Sequence, residues 1–535
     1  MKNLTTILLL LTFTVSSQPL RLSANDLYKD KLGKTIESIS NITYAYWDLD
    51  SPGTPGLSIG DDNYGQVLAS GDFNADGYQD LAIGAPAYNF LEFTAGAVFI
   101  LYGTNNGLSS NNSQILSQHG SGNLAEYEDA FGSSLATGDF NGDGFSDLVV
   151  GTPLEDEIID GGAVIVDAGA INIFYGSASG LSINSTYITA VDVCSLQVGC
   201  QFGFSLAAGD VNDDGYTDLA VSAPYTDLIN GSMQVDAGVV FIYPGQVTVG
   251  ITSNNRMSIS QADTTDPVEA GDRFGWSLVF GYFNESIGLK NNNGLVAYAD
   301  LIIGAPNEDV GAVIDAGMIH EFHGSLGGLV FASDWTQGNI SDLVETGDLF
   351  GFSLAAGDFD GDFNSDLVVG VPFEDIVTVV DGGAVNIIYG TSSGLTSAGN
   401  QTISQNTAGI FGVVEPGDLF GFAVATGRLN TDAYEDVIIS TPLEDYHFTN
   451  DGFVQTIFGS NIGLDTITSE EIIVSGLENE AHFGSSLASM YFQSDFSVII
   501  GAPTTTSGDG LLNSGSVFEV AYKDYGVIFK NSFEQ

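Results

Sequence analysis

The chain of 535 residues is 44% apolar and carries 68 glycines against 13 prolines, which excludes a collagen or disordered chain and suits short strands joined by tight turns. Acidic residues number 68 and basic ones 11, a formal net charge of −57. Such a field repels nucleic acid and anionic membranes, so cations are the expected small partners.

At the start, Met1, Lys2 and Asn3 precede an apolar run from Leu4 to Val15, followed by small and polar residues to Ala24. This order reads as a secretory signal peptide over residues 1–24, cleaved after Ser17 or after Ala24, because the apolar run is too short to span a bilayer. No second apolar segment of membrane length follows, so an exported, secreted chain without a membrane span is expected. Asn-x-Ser/Thr triplets at Asn41, Asn184 and Asn339 mark it as a glycoprotein only in a host that glycosylates.

From there the sequence repeats. Phe-Gly, or once Tyr-Gly, occurs at Tyr64-Gly65, Phe131-Gly132, Phe202-Gly203, Phe274-Gly275, Phe350-Gly351, Phe420-Gly421 and Phe483-Gly484, spaced 63 to 76 residues apart. Each pair is followed by a small-residue segment and then by Gly-Ala-Pro or a relative, from Gly84-Ala85-Pro86 to Gly501-Ala502-Pro503. A period near 70 residues, with short strands and glycine turns, predicts four-stranded antiparallel units that bury their faces only against one another. Seven such units close into a ring, with the small residues after Phe-Gly lining the channel; an open β-solenoid is the competing architecture.

These words resemble the FG-GAP repeat family, whose members include the N-terminal propellers of integrin α subunits. The resemblance covers roughly residues 45–524 and implies an all-β, seven-bladed β-propeller, with residues 525–535 as a short C-terminal tail. By the same analogy Ile42 to Gly65, which contains Trp47-Asp48-Leu49-Asp50, supplies the strand that completes the last blade; Val527 to Phe529 are the alternative.

Between the first two strands of four repeats lies Asp-x-(Asp/Asn)-x-Asp-Gly-x-x-Asp. The candidate metal ligands are Asp72, Asn74, Asp76, Tyr78 (by its carbonyl) and Asp80; Asp139, Asn141, Asp143, Phe145 and Asp147; Asp210, Asn212, Asp214, Tyr216 and Asp218; and Asp358, Asp360, Asp362, Asn364 and Asp366. Calcium takes six to eight hard oxygens, and alternate positions on a tight loop aim three side chains and one carbonyl at one centre. An EF-hand differs, because its last ligand is a Glu at position twelve and helices flank it. About four calcium ions are therefore expected. In the last of these loops Phe363 stands where the others have glycine. Three repeats depart further, with Tyr282 and Arg428 at the first position and Tyr491 to Val498 lacking the acid set. The Arg428 guanidinium is a candidate substitute for the ion.

A second acidic series follows the prolines: Glu155-Asp156, Glu308-Asp309, Glu374-Asp375 and Glu444-Asp445, read here as solvated loop residues rather than a cation-binding rim. Cys194 and Cys200, six apart in an exported chain, are expected to form a local disulfide.

Catalytic signatures are absent: there is no Gly-x-Ser-x-Gly elbow, phosphate loop or His-Glu-x-x-His. The chain is therefore expected not to be an enzyme but an extracellular recognition or cell-adhesion module, with a protein or glycan ligand. A polysaccharide lyase or hydrolase built on a calcium-stabilised propeller is the alternative. Against a complete integrin α subunit, the sequence stops soon after the last repeat.

Overall fold

Each Phe-Gly pair turns the chain into a short innermost strand, and a second, wholly buried strand returns antiparallel to it. In the first blade the order outward is Val67–Gly71, Asp80–Ala85, Ala97–Thr104 and Gly107–Leu116. Five more four-stranded sheets repeat that order, and the computed structural model is therefore an all-β, seven-bladed propeller. It describes residues 21–23, 43–57, 60–89, 94–118, 126–158, 163–190, 193–194, 197–284, 297–340, 342–472, 474, 477–492, 495–506 and 510–522. Among these there is no α-helix, and hence no helix able to cross a membrane.

The seventh blade is assembled from both ends of the repeat array. Ser486–Phe492, Asp495–Ala502 and Ser516–Tyr522 are its inner three strands, and Thr43–Trp47 pairs antiparallel with Ser516–Tyr522 as the fourth. Arg21–Ser23 pairs outside it. The closing strand is thus the one that precedes the first repeat, while Val527 to Phe529 and the tail 525–535 lie outside the described residues. So do residues 1–20 and Ala24 of the expected signal peptide.

The core is not central but divided among the seven seams between blades. The seam between the first and second blades holds Phe73, Val98, Ile100, Phe131, Leu148 and Val150; that between the seventh and first holds Trp47, Tyr64, Ile83, Phe99, Ile499 and Val517. Burying each such side chain contributes about 1.5–3 kcal/mol, so no blade is stable without its neighbours.

The two halves of the repeat motif meet across these seams. A Cβ on Gly501 would stand 2.0 Å from the carbonyl oxygen of Gly65, and one on Gly370 would stand 2.2 Å from that of Gly421. Only glycine lets the two backbones approach so closely. A serine on the innermost strand rivets the same seam: Ser486 Oγ donates to the Gly65 carbonyl at 2.7 Å and Ser134 Oγ to that of Gly203 at 2.6 Å.

Antiparallel order also fixes which loops share a face. Turns joining the first and second strands of every blade lie at one end of the ring. Loops joining the second to the third, and each blade to the next, lie at the other.

Candidate metal loops and the opposite face

The four acidic turns have one geometry. Both oxygens of the first aspartate accept backbone N–H groups within the turn, as when Asp72 takes Asp76 N at 3.1 Å and Gly77 N at 2.9 Å. Position three accepts from position five, at 2.9 Å in the Asn74, Asn141 and Asn212 turns and at 3.1 Å where Asp360 accepts from Asp362 N. Position five accepts from position seven, at 2.8–3.1 Å in all four. Tyr78, Phe145, Tyr216 and Asn364 give their N–H groups to these bonds, and the atom each could offer an ion is its backbone carbonyl oxygen. In the fifth blade one carboxylate oxygen each of Asp358, Asp360 and Asp366 lie within 4.8 Å of one another. The donor set is hard oxygen throughout, which suits calcium and not a soft metal.

The ninth-position aspartate does more than close such a shell. Asp80 is fully buried; its Oδ2 accepts Phe73 N at 2.9 Å and its Oδ1 accepts Gly103 N at 2.8 Å, stapling the turn to the third strand. Asp147, Asp218 and Asp366 repeat this pair of bonds. So do Asp300 and Asp436, in the two blades whose first position is Tyr282 or Arg428. The staple is therefore independent of the other acids. At Asp80, Asp147 and Asp366 each carboxylate oxygen, holding one such bond, keeps a further lone pair for an ion. Burial, and then the neighbouring loop acids, push Asp80, Asp147 and Asp218 up to about 7 and Asp366 to about 8.

Phe363 takes φ 72°, the left-handed conformation that Gly77, Gly144 and Gly215 adopt at φ 85–89°. The turn therefore keeps its shape and the side chain stays exposed. Arg428 is exposed and lowers the Glu435 carboxyl against the rise that burial causes; its charge thus falls on the residue before Asp436.

At the other end of the ring the second acidic series is not solvated as expected. Glu155, Glu308, Glu374 and Glu444 are buried, and each accepts from the side-chain amide of a glutamine that ends the previous blade: Gln118, Gln261, Gln337 and Gln405. A buried aspartate two residues before each Phe completes the group: Asp129, Asp272, Asp348 and Asp418. Each of these accepts the backbone N–H of a glutamate three positions earlier, Asp272 from Glu269 at 2.8 Å. The glutamine that covers each glutamate comes from the preceding blade, which local composition does not reveal. Their partners in the sequence, Asp156, Asp309, Asp375 and Asp445, accept a backbone N–H within the following loop. In the third blade Cys200 takes the aspartate's place and Thr226 the glutamate's; Cys200 is bonded to Cys194, with Cα atoms 6.4 Å apart.

The same face carries an arc that the sequence reading missed. The residue after Phe-Gly is aromatic in four consecutive blades, and these side chains touch in series: Phe204–Trp276 with centroids 4.9 Å apart, Trp276–Phe352 at 5.8 Å and Phe352–Phe422 at 5.4 Å. All four are half-buried at the mouth of the channel. Arg273 lies 5.2 Å from the Tyr225 ring centroid and 5.8 Å from that of Trp276. The signal was the aromatic at a fixed offset from the repeat word.

The FG-GAP repeat model matches residues 64–101, 131–171, 202–243 and 350–388. The chain carries FG-GAP repeats. Those four stretches are the blades whose acidic turn is complete. Over 491 residues the FG-GAP propeller is 24% identical to the phosphatidylinositol-glycan-specific phospholipase D of Rattus norvegicus, covering 86% of this chain and 55% of that protein. It is 31% identical over 255 residues to integrin alpha-PS2 of Drosophila melanogaster, covering 46% of this chain and 16% of that one. The chain spans about half the length of the phospholipase relatives it matches. Among solved structures, the exotype rhamnogalacturonan lyase YesX aligns over 95% of this chain and 75% of its own at TM-score 0.40 and 12% identity.

One expectation is overturned by these relatives. The absence of catalytic motifs was taken to mean that the chain is not an enzyme, yet proteins matched over 86% of its length are phospholipases by name. Motif absence within a propeller does not exclude enzymes, because a fold of this kind serves many functions.

Proposed function

We propose that the chain is an extracellular, calcium-stabilised FG-GAP propeller that recognises a protein or glycan ligand at the face opposite its calcium turns. The arc Phe204–Trp276–Phe352–Phe422 carries the reading. Half-buried aromatic rings beside a cation offer flat apolar surface for a sugar ring or a cationic side chain. Loops of the same face also expose single apolar side chains, among them Ile158, Ile229, Met233, Ile314 and Val377. Asp72, Asn74, Asp76 and Asp80, with the corresponding residues of the second, third and fifth blades, would hold one calcium each and stiffen the far end of the ring. Integrin relatives support the recognition reading.

A second reading is enzymatic, and the phospholipase relatives favour it: the same face would hold a phosphatidylinositol-glycan for cleavage. Both are tested with one preparation. The protein is screened against matrix proteins, glycans and a phosphatidylinositol-glycan, with turnover followed on the last. Saturable binding that Trp276→Ala reduces at least tenfold, without product, supports recognition. Product release supports the enzyme. Binding unchanged by Trp276→Ala refutes the arc as the ligand site.

A further inference from the structure

We propose that the seam between the third and fourth blades is a second kind of divalent-cation site, formed by Glu269, Asp272, Glu308 and the amide oxygen of Gln261. One carboxylate oxygen each of Glu269, Asp272 and Glu308 lie within 4.8 Å of one another. Glu308 and Asp272 are buried, while Glu269 is exposed and opens the group to solvent.

The glutamine is the observation that points to an ion. Gln261 is fully buried, its Nε2 donates to Glu308 Oε2 at 2.5 Å, and its side chain also hydrogen-bonds Asp272. Its Oε1, on the same amide between those two acids, has no hydrogen-bond partner. The same atom is orphaned at Gln337 and Gln405, whose Nε2 atoms each lie 2.6 Å from Glu374 and Glu444. A native interior rarely leaves one buried acceptor unpaired, and here three seams repeat the same one.

Where the acids also converge, at Gln261, a hard divalent cation accounts for the orphaned oxygen. Among carboxylates alone, the amide must turn its NH₂ inward and leave its oxygen without a donor. With a cation between Glu308, Asp272 and Glu269, a half-turn of the amide makes Oε1 a fourth oxygen ligand. With Asp266, whose carboxyl hydrogen-bonds Gln261 and Glu308 in the same group, four formal charges then face two positive ones, and water from the exposed side completes the shell. The site is separate from the acidic turns, which lie at the other end of the ring. The fourth blade holds this seam group yet lacks a complete turn.

The test is calcium titration of the chelator-stripped full chain by calorimetry, with ions counted by native mass spectrometry. It uses the wild type, Glu308→Gln, and a variant with Asp76, Asp143, Asp214 and Asp362 all changed to Ala. The proposal expects more than four ions on the wild type, one fewer on Glu308→Gln, and about one retained by the turn variant. Four or fewer on the wild type and an unchanged count on Glu308→Gln would overturn it, while leaving the acidic turns as calcium sites. Should the turn variant not fold, melting of Glu308→Gln decides. A lower melting temperature in calcium, with an equal or higher one in chelator, supports the ion. An equal loss in both conditions makes the group a hydrogen-bond network and ends the proposal.

Discussion

Single residues in the acidic turns separate metal binding from backbone support. Asp436 sits in a blade whose first position is Arg428, yet its two oxygens hold Leu429 N and Gly459 N at 2.8 and 2.9 Å. Asp436→Ala leaves two buried N–H groups unpaired, at about 1–3 kcal/mol each, and should lower the melting temperature equally in calcium and in chelator. Asp76 is exposed and bonds only within its own turn. Asp76→Ala should therefore lower it in calcium and leave it nearly unchanged in chelator. Phe363 gives the opposite sign. Its φ of 72° costs a residue with a Cβ about 1–2 kcal/mol, and nothing lies within 4 Å of a Cβ at Gly77, Gly144 or Gly215. Phe363→Gly should raise stability by about 1 kcal/mol, read by calorimetric melting in calcium.

Among elements, the seams carry the stability. Gly501 of the last full repeat faces Gly65 of the first, and Gly501→Ala forces a methyl group to within 2.0 Å of a carbonyl oxygen. Overpacking of this kind costs about 1–3 kcal/mol, and here it opens the seam that closes the ring. Limited proteolysis should then cut first near the joined ends, whereas the wild type resists. The third blade substitutes a covalent link for an acid group, with Cys200 where Asp129, Asp272, Asp348 and Asp418 stand elsewhere. The paired change Cys194→Ser and Cys200→Ser should cost about 2 kcal/mol, measured by denaturant melting, as expected for so short a loop.

For the molecule as a whole, the net charge of −57 makes cations and protons competitors. Burial and the neighbouring acids Asp348 and Asp342 push Glu374 up to about 8, and burial with loop acids pushes Asp80 and Asp147 to about 7. These groups keep their protons in the folded state over a range where the unfolded chain, titrating near pH 4, has lost them. The folded state thus binds more protons between about pH 4 and 8, and stability in chelator falls as pH rises through that window. The chelated protein should melt higher at pH 5 than at pH 8. Calcium held by the acidic turns would replace those protons, so its stabilising increment should grow from pH 5 to pH 8, as paired melting curves would report. A constant increment would remove the buried carboxyls from the calcium response.

The ring and its acidic turns were legible in the sequence because both rest on local words repeated in register: Phe-Gly and Gly-Ala-Pro need glycine where two backbones touch, and the turns place oxygen donors at alternate positions of one short segment. What the sequence could not decide is what one blade does to the next. Glu308 reads as a loop acid until Gln261 of the preceding blade and Asp272 close over it. Phe204, Trp276, Phe352 and Phe422 lie 70 or more residues apart in the chain and meet only because the ring brings successive inner strands side by side. Asp80 reads as a metal ligand alone, and its bond to Gly103 N depends on where the third strand ends. Local geometry is written in short-range spacing, whereas burial and cross-blade partners arise from packing between repeats, which no segment encodes by itself.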